Sequence, residues 1–331
     1  MKIDAYNHIL PGKYKQACIK AAPPELNLEA FVEGIPALWD LSARFKIMDM
    51  FEEYVQVLAL AHPPLEMLAA PEGAAVLARL ANDEMAELVA KHPTRFLAAI
   101  AALPMNNVDA ALKETERAIE DLGLKGVQIF TPTGGRALDA PEFLPIFEKM
   151  AEYDLPILLH PARDASFIDY PAEKESRYQM WRTLGWPYDT AVAMTRLVCT
   201  GLFEKYPNLK ILTHHLGGIV PFLEQRIREG FDKMEKTPDG KALFQKLSRH
   251  PHDYLSMFHA DTVTTGSAAA LECGLRFFGE DRVLFATDMP FDTVGGSEYV
   301  AHTIGAITQM KASQRVKRKI YHQNARRLFQ L

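Results

Sequence analysis

Eight short apolar runs, separated by longer amphipathic stretches, recur from one end of this 331-residue chain to the other. They are MKIDAYNH (1–8), YVQVLALA (54–61), RFLAAIAAL (95–103), GVQIF (126–130), PILLH (156–160), LKILTHH (209–215), YLSMF (254–258) and RVLFATD (282–288). Most are continuously apolar rather than alternating, which is the pattern of parallel strands buried on both faces. Between them lie helical patterns such as GAAVLARLANDEMAELVAKH and VDAALKETERAIEDLG, several ending at a glycine or followed by a proline-containing turn. Strands that alternate with helices in this number predict an α/β fold, a (β/α)8 TIM barrel, because a closed ring leaves no edge strand. No linker, charge block or repeat divides the chain, so residues 1–331 read as one domain, with insertions at 9–53 after the first strand and 161–190 after the fifth. Such loops sit at the carboxyl ends of the strands, where barrels of this kind carry their chemistry.

Composition narrows the function classes. A hydrophobic share of 48% with only 24% charged residues is enough apolar surface to fold, which excludes disorder. Lys and Arg total 37 against 42 Asp and Glu, and this net charge of −5 lacks the basic excess that tracking nucleic acid requires. No stretch approaches the roughly 20 uninterrupted apolar residues of a membrane span, and Asp4 interrupts any secretory core. Three cysteines make neither a disulfide framework nor a zinc-finger pattern, so the expected compartment is the cytoplasm. GxGxxG and GxSxG patterns are lacking, which removes nucleotide and serine-nucleophile readings.

The 11 histidines are informative by position. His8 closes the first expected strand, His62 follows the second, His160 closes the fifth, His214 and His215 close the sixth, and His259 follows the seventh. Asp288 closes the eighth. In a barrel these ends converge on one rim, and neutral imidazoles beside a carboxylate suit one divalent ion with an open position, zinc in the first place and manganese as a second choice. His8, His160 and Asp288 are the expected ligands, with His215 beside them as proton carrier and His214 as its neighbour. Tyr6, His62 and His259 are read as rim contacts to a substrate, and Asp261 as a polar partner of His259. Trp39, Trp181, Trp186, Tyr170, Tyr178 and Tyr188 gather in the two insertions and could wall an aromatic pocket.

The segments IDAYNHILP, LKGVQIF, LPILLHPAR, TRLVCTGLFEKYPNLKILTHHLGGIVPFLEQRI and DRVLFATDMPFD, in this order, resemble the amidohydrolase-2 family over nearly the whole chain. The resemblance implies a metal-dependent barrel with ligands from H-x-H on strand one, His on strand five and Asp on strand eight, here Tyr6, His8, His160 and Asp288. It implies proton transfer at the H-x-G-G histidine, His215, and a homodimer in which an arginine at the position of Arg226 reaches the neighbouring subunit's substrate.

Two departures from the family pattern stand out. Tyr6 replaces the first histidine of H-x-H, and a phenol with a pKa near 10 is a poor ligand unless the cation drives its ionisation. The arginine that the family's decarboxylases carry in the first insertion is missing, since the first arginine of this chain is Arg44, close to the second strand; Arg163, directly after His160, offers itself instead for a bidentate grip on a carboxylate or phenolate. The expected activity is non-oxidative decarboxylation of a small aromatic or dienic carboxylic acid. Hydrolysis or hydration by the same residues, and a metal-free binding barrel, remain as alternatives.

Overall fold

In the computed structural model, which describes residues 1–331, the nine strands β1 (Lys2–Ile9), β2 (Tyr54–Leu60), β3 (Phe96–Ala99), β4 (Ala101–Ala102), β5 (Val127–Thr131), β6 (Ile157–Pro161), β7 (Ile211–Thr213), β8 (His259–Asp261) and β9 (Val283–Leu284) pair in chain order, all parallel. The ladder is interrupted only at Ile100, whose N–H donates to the Leu58 carbonyl at 2.9 Å while Ala101 N–H turns to Gly126. β3 and β4 are therefore two parts of one strand. Backbone bonds from Ala5 to the Phe285 carbonyl (2.9 Å) and from His8 to the Met289 carbonyl (2.8 Å) join the first strand to the last and close an eight-stranded ring. The α/β barrel expected from the alternation is the fold of the chain.

Strand parity decides what faces the lumen, because successive side chains point to opposite faces. Leu158, Leu212, Leu284 and Ala286 belong to the inner cluster with Ile3, Ala5, Val57, Ala59 and Ala98, while Ile157, Leu159, Ile211 and Val283 pack outward with the helices. Two residues further along the same faces come His160, His214 and Asp288. In β1 the register shifts between Asp4 and Asn7, and this bulge lets Tyr6 join Ala5 in the inner cluster, with His8 above them. The amino end of the lumen is plugged by the C-terminal helix Asn324–Phe329, whose Ala325, Leu328 and Phe329 complete the inner cluster.

The seventh strand lies elsewhere than expected. Tyr254 and Leu255 of YLSMF end the helix Pro251–Leu255, which has Pro251 at its first turn and the His250 side chain accepting from His252 N–H, and Ser256, Met257 and Phe258 turn the chain into the strand His259–Asp261. A short apolar run does not by itself separate a buried helix from a strand. His259 therefore opens its strand at the amino end, among Lys210, Arg282 and Arg327, and burial followed by those cations pushes its pKa down to about 3. It is not a rim residue.

The first insertion carries the helices Gly12–Ala21, Leu28–Glu33 and Leu41–Met48. The second stays irregular as far as the turn Met180–Thr183, and the helix that follows begins at Gly185. A third excursion, beyond the two insertions expected, places Glu224–Met234, Pro238–Phe244 and Pro251–Leu255 between β7 and β8. No helix is long and apolar enough to cross a membrane.

Candidate metal centre and active site

Four side chains meet at the carboxyl end of the ring. His8 Nε2 lies 3.1 Å and His214 Nε2 3.3 Å from the same oxygen of Asp288, while His215 Nε2 stands 3.8 Å from the other. The ligand atoms of His8, His160 and His214 all lie within 4.8 Å of one another, and so do those of His214, His215 and Asp288. Of the ligands named from the sequence, His8 and His160 belong to the first group and Asp288 to the second, with His214 common to both and His8 in contact with Asp288. The residues fit a divalent cation: imidazole nitrogens converge on a carboxylate, and His8 Nε2 is buried with no hydrogen-bond donor or acceptor assigned to it apart from that carboxylate.

The electrostatics follow from burial and proximity. Burial alone would raise the Asp288 carboxyl, but the neighbouring imidazoles of His214, His215 and His8 hold it well below the usual carboxylate range. Burial, then the neighbouring His214, His8, His215 and His62, push His160 well below the ordinary imidazole value, so it is neutral and fit to ligate. Burial also drives His62 down to about 4. His214 goes the other way: although burial disfavours its charge, Asp261 and Asp288 push it up to about 9, so a cation bound at its Nε2 would displace a proton.

Asp261 was underrated in the sequence, where it figured only as a companion of His259. Its Oδ2 accepts from His214 Nδ1 at 2.5 Å and from His215 N–H at 3.1 Å; its Oδ1 accepts from Leu216 N–H at 2.8 Å and Val263 N–H at 3.0 Å. That carboxylate fixes both the His214 ring and the turn behind it. The turn is tight: His215 and Leu216 adopt φ of 54° and 55°, and Gly217 and Gly218 follow at 74° and 63°. Without the turn, His215 would point away from the lumen by strand parity. A β-carbon on Gly218 would stand 2.2 Å from the Pro187 carbonyl oxygen. Gly218→Ala is expected to cost about 3 kcal/mol or more, a fall of roughly 4 °C or more in Tm by calorimetry. An unchanged melting point would show that the turn has room to shift.

Around the cluster stand aromatic rings. Trp186 lies 5.5 Å from His160 and 5.9 Å from both His62 and His215, Phe130 lies 5.1 Å from His160, and Phe291 lies 5.3 Å from His8 and is stacked against Phe31 of the first insertion. Trp181 backs Trp186 at 5.8 Å. Tyr170, Tyr178 and Tyr188 are instead exposed, and Trp39 is a packing anchor that donates to the Val32 carbonyl. Tyr6 is fully buried with its ring 4.2 Å from that of His214 and its hydroxyl without a hydrogen-bond partner; burial, then Asp261 and Asp288, push its pKa well above the ordinary phenol value.

Arg163 does not enter this group, and Arg226, expected to act towards a neighbouring subunit, lies on the surface. Arg163 pairs with Asp189 at 3.3 Å and lies over the Phe167 ring, while Trp186 Nε1 holds its carbonyl at 2.7 Å. Arg226 is exposed on the helix Glu224–Met234. Arg44 is fully buried in the helix Leu41–Met48, beneath the site, and donates to the His8 carbonyl at 2.8 Å.

Known proteins bear on this geometry. The chain is 32% identical over 303 residues to a gamma-resorcylate decarboxylase of Rhizobium sp. (strain MTP-10005), covering 87% of this chain and 86% of that protein. It is 28% identical over 306 residues to a 2-amino-3-carboxymuconate-6-semialdehyde decarboxylase of Dictyostelium discoideum, covering 88% and 82%. Among solved structures, a dihydroxybenzoic acid decarboxylase from Polaromonas sp. JS666, with bound manganese and the inhibitor 2-nitroresorcinol, superposes with a TM-score of 0.79 at 27% identity, covering 100% of this chain and 97% of that one. The model of the amidohydrolase family matches residues 3–331, from the first strand of the ring to the last residue of its plug, and the chain belongs to that family.

Proposed function

We propose that the protein is a metal-dependent, non-oxidative decarboxylase of a small aromatic acid whose ring bears a hydroxyl next to the carboxyl group. The observation that carries this reading is the juxtaposition of a histidine and carboxylate cluster with the rings of Trp186, Phe130 and Phe291, surroundings suited to a flat anionic substrate. The decarboxylases to which the chain is similar support it. His8, His160 and Asp288 would hold the cation, which when bound supplies positive charge to an anionic substrate oxygen. Imidazole and carboxylate donors suit manganese as well as zinc, and the manganese of the Polaromonas relative makes it the first ion to try.

The residues of the chain then account for the chemistry. Trp186 and Phe291 position the ring and exclude water. His215, part-exposed and with no partner on Nδ1, delivers a proton to the ring carbon that carries the carboxyl group. The carbon–carbon bond breaks, its electron pair returns to the ring, and carbon dioxide leaves. His215 regains its proton from solvent between turnovers, and the Asp288 carboxylate 3.8 Å away stabilises the imidazolium so formed.

The test is release of carbon dioxide from 2,6-dihydroxybenzoate and related hydroxybenzoates by manganese-loaded protein, with product oxygen followed in 18O water. Uptake of 18O without carbon dioxide would replace this reading by hydrolysis or hydration. His215→Asn is expected to lower kcat by about 10²–10⁴-fold at little change in KM; turnover at the wild-type rate would remove His215 as the proton carrier. We also read the whole chain as one cytoplasmic catalytic unit acting as a homodimer, supported by Phe222, whose large apolar ring is 83% exposed. Phe222→Asp should then yield monomers in sedimentation velocity.

A further inference from the structure

We infer that His214 takes the ligand place that Tyr6 has vacated, so that the tandem histidines divide their labour: His214 binds the cation and His215 moves the proton. The inference rests on reading the rim as a metal centre and is independent of which reaction is catalysed there.

The argument is one of ring orientation. A ligating histidine presents one nitrogen to the ion and has the other held by an acceptor, which fixes both tautomer and ring plane. His8 meets this pattern with Nδ1 at 3.3 Å from the Leu60 carbonyl, and His160 with Nδ1 at 2.5 Å from the Pro161 carbonyl. His214 meets it best, since its Nδ1 acceptor is the carboxylate of Asp261, itself immobilised by three backbone N–H groups. The Nε2 atoms of His8 and His214 then aim at the same Asp288 oxygen from two sides, at 3.1 and 3.3 Å. Strand parity places His214 on the lumen face, two residues after Leu212, as it places His160 two after Leu158.

His215 lacks every one of these features. Its Nδ1 has no partner, its Nε2 is 3.8 Å from Asp288, and its side chain is 19% exposed where that of His214 is fully buried. A loosely held imidazole suits proton transfer and a clamped one suits ligation. Tyr6, whose hydroxyl has no partner, packs its ring against His214 and so fills volume rather than donating to an ion.

Manganese binding tests this without substrate. Ion content after equilibrium dialysis and the Kd from calorimetry should be unchanged, within about twofold, in Tyr6→Phe. The affinity should fall at least about 100-fold in His214→Ala and about 10–100-fold in Asp261→Asn. Pulsed EPR of the manganese form of 15N-histidine protein should count three bound imidazoles in the wild type and two in His214→Ala. Loss of the ion in Tyr6→Phe, or wild-type affinity in His214→Ala, overturns the inference. Should His214→Ala not fold, Tyr6→Phe and the wild-type imidazole count decide, a count of two overturning it. A wild-type chain that binds manganese in this way but releases no carbon dioxide removes the decarboxylase reading and leaves this one standing; a wild-type chain that binds no ion removes both.

Discussion

Asp288→Asn is expected to lower kcat/KM by about 10³–10⁴-fold, equivalent to roughly 4–5.5 kcal/mol of transition-state stabilisation, while leaving the fold intact. Three imidazoles depend on this carboxylate, through contacts of 3.1 Å from His8, 3.3 Å from His214 and 3.8 Å from His215. An amide of the same shape carries no charge to hold a cation, and its NH2 presents donors to His8 and His214 where acceptors stood. The substitution is a clean probe for a backbone reason: Asp288 sits at φ 63°, a left-handed conformation that asparagine adopts about as readily as aspartate and alanine does not. Backbone strain should therefore be the same in both proteins. The measurement is steady-state decarboxylation together with manganese content and a thermal melt. More than about a tenth of wild-type activity, with the ion retained, would show that Asp288 is a bystander.

The barrel was legible because its signal is repeated: each run of the pattern supports the others, and one misplaced strand, YLSMF, did not disturb the count. His8, His160 and Asp288 were legible because each terminates an apolar run, and strand termini converge in a closed ring. The distinction between His214 and His215 could also have been read, from parity. Counting back from His214 to Leu212, and from His160 to Leu158, puts these four on one face and leaves His215 to depend on the turn that follows. The misplaced seventh strand hid Asp261, since a strand read to end at Phe258 rather than at Asp261 leaves that carboxylate in a loop rather than at a terminus. Arg163 and Arg226 could not be placed from the sequence. An arginine's reach is long, and its partner, Asp189 in the case of Arg163, lies in a segment whose path no periodicity fixes.

Arg44 shows how a residue dismissed in the sequence can matter through the fold. Its guanidinium is fully buried, no carboxylate pairs with it, and burial pushes its pKa down to about 10, so it stays charged at neutrality. The compensation is a set of four acceptors: Nε donates to Gln56 Oε1 at 2.8 Å, Nη1 to the carbonyls of His8 at 2.8 Å and Ala37 at 3.1 Å, and Nη2 to the Asn7 side chain. These come from β1, β2 and the first insertion, so one side chain fastens the insertion to the strand that carries His8. Arg44→Met removes the donors and leaves buried acceptors unpaired, at a cost of about 3–5 kcal/mol. The expected fall in Tm is roughly 4–7 °C. Arg44→Lys keeps the charge but not the planar fork, and should lose about half as much. Manganese affinity should weaken about 10-fold in either variant, because freeing the His8 carbonyl loosens the strand end that aims its imidazole. Melting within about 2 °C of wild type would mean that water or rearranged side chains satisfy those acceptors. Unchanged manganese affinity in a destabilised Arg44→Met would confine the arginine to holding the insertion.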